Sequence, residues 1–249
     1  MKRPAPSPRQ ALVWAALLLS HCTGLPASPP AAPAQCLPAD FCYVDTVAPA
    51  IRTELKYAGS DNFVGRPIAG YSGRRAILRR DAAEALARAD ALLAPQGYGL
   101  KIYDAYRPAG AMDDFYRWSK TDDERMKARF YPNITKRGIY EGRYIGTTSE
   151  HSWGIAVDIT LTRRRDGKEC DMGGHHDLLD PSSATDYPHL SEQQRANRQR
   201  LRRAMEAAGM RNYSAEWWHY YLHPTGTCYA YGFPLNDALS PSPRAAHTR

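Results

Sequence analysis

The distribution of hydrophobic residues along the chain predicts three helices. Apolar side chains recur at helical spacing in residues 78–97, 109–120 and 191–209. Pro95 and Gly97 are expected to end the first of these helices, because proline and glycine both interrupt helical backbone.

Three other segments have the composition of β-strands. Residues 98–108 alternate between apolar and polar positions as far as Pro108, residues 154–162 are rich in β-branched side chains, and residues 216–222 are aromatic. The strands and helices follow one another without a regular βαβ rhythm. This mixture favours an α+β domain over a parallel α/β fold.

The first 35 residues differ from the rest of the chain. A basic, proline-containing start precedes an apolar run of about ten residues, which is too short to span a bilayer and typical of a secretory signal. We therefore expect residues 1–35 to be a signal peptide and processing region, with an Ala32–Ala34 cleavage pattern and export to the periplasm. Lipidation of Cys22 is a less favoured alternative, because His21 occupies a position where a small residue is usual.

After this leader, the sequence predicts one domain over residues 36–236 and a flexible tail over residues 237–249. No transmembrane segment is expected in the mature chain. An even number of cysteines in an oxidising compartment suggests two disulfides, with all three pairings open. The cysteines concerned are Cys36, Cys42, Cys170 and Cys228. A zinc site made of all four is excluded by the absence of a Cys-x-x-Cys pair.

The net charge does not indicate a nucleic-acid partner. The full chain carries +7, and three of its basic residues lie in the leader, which contains no acid and so leaves about +4 for the mature chain. The remaining basic runs have helical spacing with apolar residues between the charges, which is typical of a solvated helix face. No nucleic-acid-binding motif is present.

Candidate chemistry begins with the segment TTSEHSWGIAVDITLT at residues 147–162. Neither a regular helix nor an uninterrupted strand would bring His151 and Asp158 to one ion. Residues seven positions apart lie about 10 Å apart along a helix axis, and on a strand their side chains point to opposite faces. A bend near Gly154 could bring them together. Taken alone, this spacing is a weak signal.

A second cluster, AEWWHYYLHP, supplies another acid and another histidine, Glu216 and His219. A catalytic zinc takes three protein ligands, and a carboxylate beside it that does not bind the metal is the usual general base. The helical HExxH motif is absent. His219 and His223 have the spacing of two helical ligands, but Pro224 and the aromatic composition argue against a helix there.

Arg107 lies at the end of a predicted strand, in the segment YDAYRP. Composition alone favours an ordinary surface ion pair for this residue. Placed near a zinc ion, it would instead stabilise the oxyanion that forms when water attacks an amide carbonyl.

Several blocks together resemble a known family, the zinc-dependent D-alanyl-D-alanine dipeptidases of the VanX type (peptidase family M15). Besides the two motifs above, they are KYAGSDNFVGRPIAGY, QGYGLKIYDAYRP, FYPNI and DMGGHHD. The similarity runs from about residue 41 to residue 234. It implies a hedgehog- and DD-peptidase-like α+β fold, with one domain that has a mainly antiparallel sheet flanked by helices.

The resemblance also implies one zinc ion (Zn2+) per chain, with His151, Asp158 and His219 as its ligands. Glu216 would then be the general base, and Arg107 would steady the transition state.

The same resemblance implies a small closed site for a free D,D-dipeptide from peptidoglycan metabolism. Asp177 would pair with the substrate ammonium, and Ser149, Tyr57 and Tyr71 would help to hold that end of the substrate.

One departure from the family is His176, which stands where the family block usually has an aromatic residue. It could loosen the pocket, add a pH dependence or have no effect. Two alternative functions stay open: a zinc DD-carboxypeptidase or endopeptidase acting on peptidoglycan stem peptides, and a non-catalytic zinc-binding wall-peptide module. Asp177 disfavours the first alternative, while Glu216 and Arg107 argue against the second.

Overall fold

The computed structural model describes residues 36–141, 144–145, 149–223 and 229–240. The predicted leader with Cys22, the cysteine at position 228 and most of the predicted tail lie outside these residues. The expectations of export, lipidation and a flexible tail therefore stay predictions.

Short strands and helices alternate along the described chain. The strands are β1 Phe41–Tyr43, β2 Arg52–Thr53, β3 Ile77–Arg79, β4 Tyr98–Asp104, β5 Ala156–Arg163, β6 Met210–Asn212 and β7 His219–Leu222. The α-helices are α1 Arg80–Leu93, α2 Ala109–Ser119, α3 Lys127–Phe130, α4 Lys136–Glu141 and α5 Glu192–Ala207.

The main sheet has the strand order β2-β4-β5-β7-β6. Every neighbouring pair in it is antiparallel except β2 with β4, and β1 pairs with β3 in a separate antiparallel ribbon. Helix α1 contacts β4 and β7, α5 contacts β5 and β6, and the two helices contact each other. The expected α+β domain with a mainly antiparallel sheet flanked by helices is confirmed.

Helix α5 begins, and helix α1 ends, close to the residues that the sequence indicated. Ser191 caps α5 in a capping box with Gln194, whose side chain accepts a hydrogen bond from the Ser191 amide. Helix α1 gives way to a short 3-10 turn, and Gly97 then adopts a left-handed φ of 80°. Helix α1 begins later than predicted, because residues 77–79 form strand β3 and pair with β1.

Strand β4 ends earlier than its alternating pattern predicted. The register with β5 shifts between Ile102 and Asp104, and the chain leaves the sheet after Asp104 instead of continuing to Pro108. Pro108 instead precedes the first residue of α2. Arg107 consequently lies on a short connection between β4 and α2.

The two predicted disulfides cannot both form, because Cys42 and Cys170 are free thiols in the described part of the chain. Cys42 is a thiol buried within β1, and Cys170 is a half-buried thiol. Each of the three possible double pairings requires Cys42, so all of them are wrong for this structure. Packing in the core explains the isolation of Cys42, and the same burial raises the pKa of its thiol.

No helix within the described ranges is long and apolar enough to cross a membrane.

Candidate active site

The site begins with three polar side chains in a row across the centre of the sheet. Asp158 on β5 lies opposite Asp104 on β4 and opposite His219 on β7. Directly opposed residues of antiparallel strands point to the same face, so the three side chains are neighbours. Both carboxylates are almost fully buried.

His151 joins this row from a turn that precedes β5. A single 3-10 turn, Glu150–Trp153, carries it, and the Ser149 hydroxyl caps that turn by accepting a hydrogen bond from the His151 amide at 3.3 Å. Gly154 ends the turn with a φ of 74°. A Cβ atom there would lie 2.3 Å from the Phe41 ring, so only glycine fits. The bend expected near Gly154 is present.

The ligand atoms of His151, Asp158 and His219 converge. His151 Nε2 lies 3.3 Å from Asp158 Oδ1 and 3.2 Å from His219 Nδ1, and His219 Nδ1 lies 3.1 Å from Asp158 Oδ1. A tetrahedral ion with bonds of about 2.0 Å needs its ligand atoms roughly 3.3 Å apart. This is the one group in the described residues whose geometry could hold a metal ion.

The chemical state of the cluster also suits a metal. His151 Nδ1 lies 2.7 Å from the Ala105 carbonyl oxygen, which can only accept, so Nδ1 carries the proton and the Nε2 lone pair faces the cluster. Burial raises the pKa of Asp158, but His151 and the other histidines around it outweigh burial and hold that pKa well below its usual value. Asp158 is therefore an ionised ligand.

Glu216 lines the same cavity without joining the cluster. Its Oε2 is 4.0 Å from His219 Nδ1. The Asn212 amide donates to the backbone carbonyls of both Glu216 and His219, which fixes the turn between them. Burial raises the pKa of Glu216 to about 8. A carboxyl group with such a pKa can exchange a proton near neutral pH.

Arg107 is buried at the edge of the cluster. The surface position that composition alone favoured for it is wrong. Its Nε and Nη2 lie 3.0 and 2.9 Å from Asp104 Oδ2, and Nη2 is 3.5 Å from Asp158 Oδ2. The guanidinium carbon also lies over the rings of Tyr57 and Phe115, at 5.1 and 5.5 Å from their centres. These contacts leave the guanidinium little freedom to move.

Asp177 faces the cavity in a strained backbone conformation. Its φ of 61° is the one positive value among the non-glycine residues that the structure describes. Oδ1 accepts a hydrogen bond from the Tyr57 hydroxyl at 3.2 Å. Oδ2 is buried and has no hydrogen-bond partner within the described residues. Burial raises the pKa of this carboxyl.

These groups surround one cavity of about 420 Å³. Ser149, Tyr57 and Asp177 line it, and the substrate-binding role expected of them stays a prediction. Its apolar wall consists of Phe63, Met112, Phe115, Ile145, Leu179 and Trp218. Trp217 is buried in the core, whereas Trp218 is buried and also forms part of the cavity wall.

Tyr71 is the predicted site residue that the structure does not bring to the cavity. It is buried behind the site, and its hydroxyl donates to Asp104 Oδ1 at 2.7 Å. Asp104 in turn holds Arg107, and sequence reasoning did not single it out. Its position three residues before Arg107 in a shared block was the available signal. His223 is exposed and outside the cluster, as expected.

Comparisons with known proteins identify the family of this chain. The family model described as D-Ala-D-Ala dipeptidase, Peptidase M15, matches residues 38–236. The D-alanyl-D-alanine dipeptidase of Streptomyces coelicolor is 42% identical over 184 residues, which cover 74% of this chain and 91% of the relative. That of Enterococcus faecium is 38% identical, covering 73% and 91%, and that of Escherichia coli is 34% identical, covering 71% and 81%.

A solved structure of the LdcB LD-carboxypeptidase aligns with 74% of this chain and 68% of its own, at 15% identity and a TM-score of 0.41. The family match and the curated relatives define a peptidase of the M15 class. Within that class, the chain belongs to the D-Ala-D-Ala dipeptidase family. It is accordingly a hydrolase.

The contact between Tyr71 and Asp104 can be tested by substitution. Tyr71→Phe removes one hydrogen bond to Asp104, worth about 1 kcal/mol, and should lower kcat roughly fivefold through a looser Arg107. KM for D-Ala-D-Ala should stay nearly constant, since the hydroxyl does not face the cavity. Steady-state kinetics measure both constants. Tyr131→Phe is a matched control, because that buried hydroxyl has no hydrogen-bond partner in the described structure. A raised KM with unchanged kcat would instead place Tyr71 against the substrate.

Proposed function

We propose that this chain is a zinc-dependent dipeptidase that hydrolyses free D-alanyl-D-alanine. The supporting observation is the content of a single cavity. Three ligand atoms within 3.3 Å of one another belong to residues that line it, and so does Asp177, whose buried Oδ2 is unpartnered. Hydrolysis of a peptide bond next to a free ammonium can use both features.

The donor set fits zinc. Two imidazoles and one ionised carboxylate are ligands that zinc commonly takes, and three protein ligands with one open position are typical of catalytic sites. When bound, zinc supplies a Lewis acid that polarises a carbonyl and lowers the pKa of water to about 7. His151, Asp158 and His219 would hold it.

Glu216 is the proton carrier in this proposal. Its carboxylate would accept the proton of the attacking water at an Oε atom and then donate that proton to the amine of the departing alanine. For both transfers the proton affinity of the carboxylate must lie between that of the attacking water, once it has lost its proton, and that of the departing amine. Burial supplies it by raising the pKa of Glu216 well above the usual value of a glutamate.

Arg107 would stabilise the oxyanion that develops on the scissile carbonyl. Because Asp104 already fixes its Nε and Nη2, the guanidinium need not reorganise when that charge forms. The pair thus contributes as a preorganised donor. Neither this arginine nor Glu216 would be required in a module that only binds zinc or a wall peptide.

Asp177 would determine the choice of a free dipeptide over a longer stem peptide. A substrate ammonium satisfies the buried, unpartnered Oδ2 with a charge-assisted hydrogen bond. A stem peptide has an uncharged amide at this position and would offer Oδ2 no charged partner. Tyr57 keeps the carboxylate in place through Oδ1.

The first test is hydrolysis of D-Ala-D-Ala by the zinc-loaded protein, with alanine release as the readout. Glu216→Gln should lower kcat by about 10²–10⁴-fold, the usual contribution of a general base, and leave bound zinc at one equivalent. A stem pentapeptide should not be cleaved. Cleavage of the pentapeptide alone would reassign the chain as a DD-carboxypeptidase, and zinc binding without turnover of either peptide would make it a binding module.

A second test concerns the ammonium. Asp177→Asn should lower kcat/KM for D-Ala-D-Ala by about 10–100-fold, the value of a hydrogen bond to a charged group. The residual rate on N-acetyl-D-Ala-D-Ala should hardly change, because that substrate has no ammonium to lose. Asp186→Asn, at an exposed ion pair with Arg202, is the control. An equal loss on both substrates would show that Asp177 does not recognise the ammonium.

Export is the remaining part of the proposal, supported by the basic start and the short apolar run of residues 1–35. An exported enzyme would meet dipeptide released from wall peptides, which suits salvage. A reporter fused behind residues 1–35 should reach the periplasm, and Leu18→Arg in the apolar run should block it. Cytoplasmic retention of the unmodified fusion would refute export.

A further inference from the structure

His176 is buried between the two carboxylates that the proposed function uses for different tasks. Its Nε2 lies 3.2 Å from Asp158 Oδ2 and 3.4 Å from Asp177 Oδ1. The residue is only 5% exposed. It faces the metal cluster from behind Asp158 and does not contribute a ligand atom to it.

The two oxygens of Asp158 have separate partners. Oδ1 faces His151 and His219 and completes the cluster, at 3.3 and 3.1 Å. Oδ2 faces away from it, toward His176 at 3.2 Å and Arg107 at 3.5 Å. A donor on Oδ2 therefore fixes the rotation of the carboxylate and with it the direction of Oδ1.

The imidazole of His176 is itself held by packing. Its ring centre lies 4.8 Å from that of Tyr103 and 5.5 Å from that of Trp218. Both of these neighbours are buried, so the ring has little room to turn. An aromatic side chain could fill the same space, but phenylalanine would leave Oδ2 without this donor.

We propose that His176 is a positioning residue, whose Nε2–H donates to Asp158 Oδ2 and keeps Oδ1 directed at the metal. The inference rests on the metal site of the proposed function but not on turnover. Partners that orient metal ligands in this way typically change metal affinity 10–100-fold when they are removed. The histidine thus adds a hydrogen bond to the packing function of this position.

The experiment compares zinc affinity in variants that separate packing from donation. His176→Phe retains the ring but no donor, His176→Met fills the space without a donor, and His176→Gln retains an N–H of similar reach. Competition with a chromophoric chelator at fixed pH should show about 10–100-fold weaker zinc binding for the first two variants. The glutamine variant should recover most of that loss. His189→Phe, at an exposed histidine outside the cavity lining and the metal cluster, should bind zinc like the unmodified chain.

Melting of the metal-free proteins checks that each variant folds, and two folded non-donor variants guard against failure of one. Unchanged zinc affinity in His176→Phe, or equal losses in the phenylalanine and glutamine variants, would overturn the inference. Turnover of D-Ala-D-Ala is followed on the same samples. Affinity that responds to His176 in a chain without turnover would reject the proposed dipeptidase activity and leave this inference standing. Absence of zinc binding in the unmodified chain would overturn both.

Discussion

A single buried carboxylate, that of Asp158, organises the centre of this protein. An ionised group in the middle of a sheet is costly unless several partners surround it. Here His151, His219, His176 and Arg107 all lie within 3.5 Å of its two oxygens. Their positions come from separate parts of the chain, so the fold must assemble completely before this charge is satisfied. The same convergence produces a site able to bind a metal ion.

The surroundings of each acidic side chain in the cavity determine its pKa. Four acidic side chains line the cavity, and the pKa values of Asp158, Glu216 and Asp177 move in different directions. Surrounding histidines lower the pKa of Asp158, whereas burial raises that of Glu216 and Asp177. An ionised carboxylate and a carboxyl group with a raised pKa therefore line the same cavity. Groups of one type can divide the work of catalysis because their environments differ.

Local signals in the sequence predicted part of this arrangement, and the resemblance to a family supplied the complete set of candidate metal ligands. The glycine at 154 indicated a bend that returns His151 to Asp158, and the aromatic segment containing His219 indicated a strand. Tyr71 and Asp104 could not be placed in the same way. Their contact depends on the register shift in β4, which no local pattern shows. The disulfide prediction failed for a related reason, since cysteine number says nothing about the packing around Cys42.

The close approach of Phe41 to Gly154 matters for where the N-terminal part of the chain can be cut. That ring packs against the turn that carries His151, and it also contacts Tyr106, Tyr231 and Phe233 edge-on. The first strand is thus a wedge under the catalytic turn. Proteolysis that removed Phe41 would therefore take away the support of a turn more than a hundred positions away, and with it the position of a candidate metal-binding side chain.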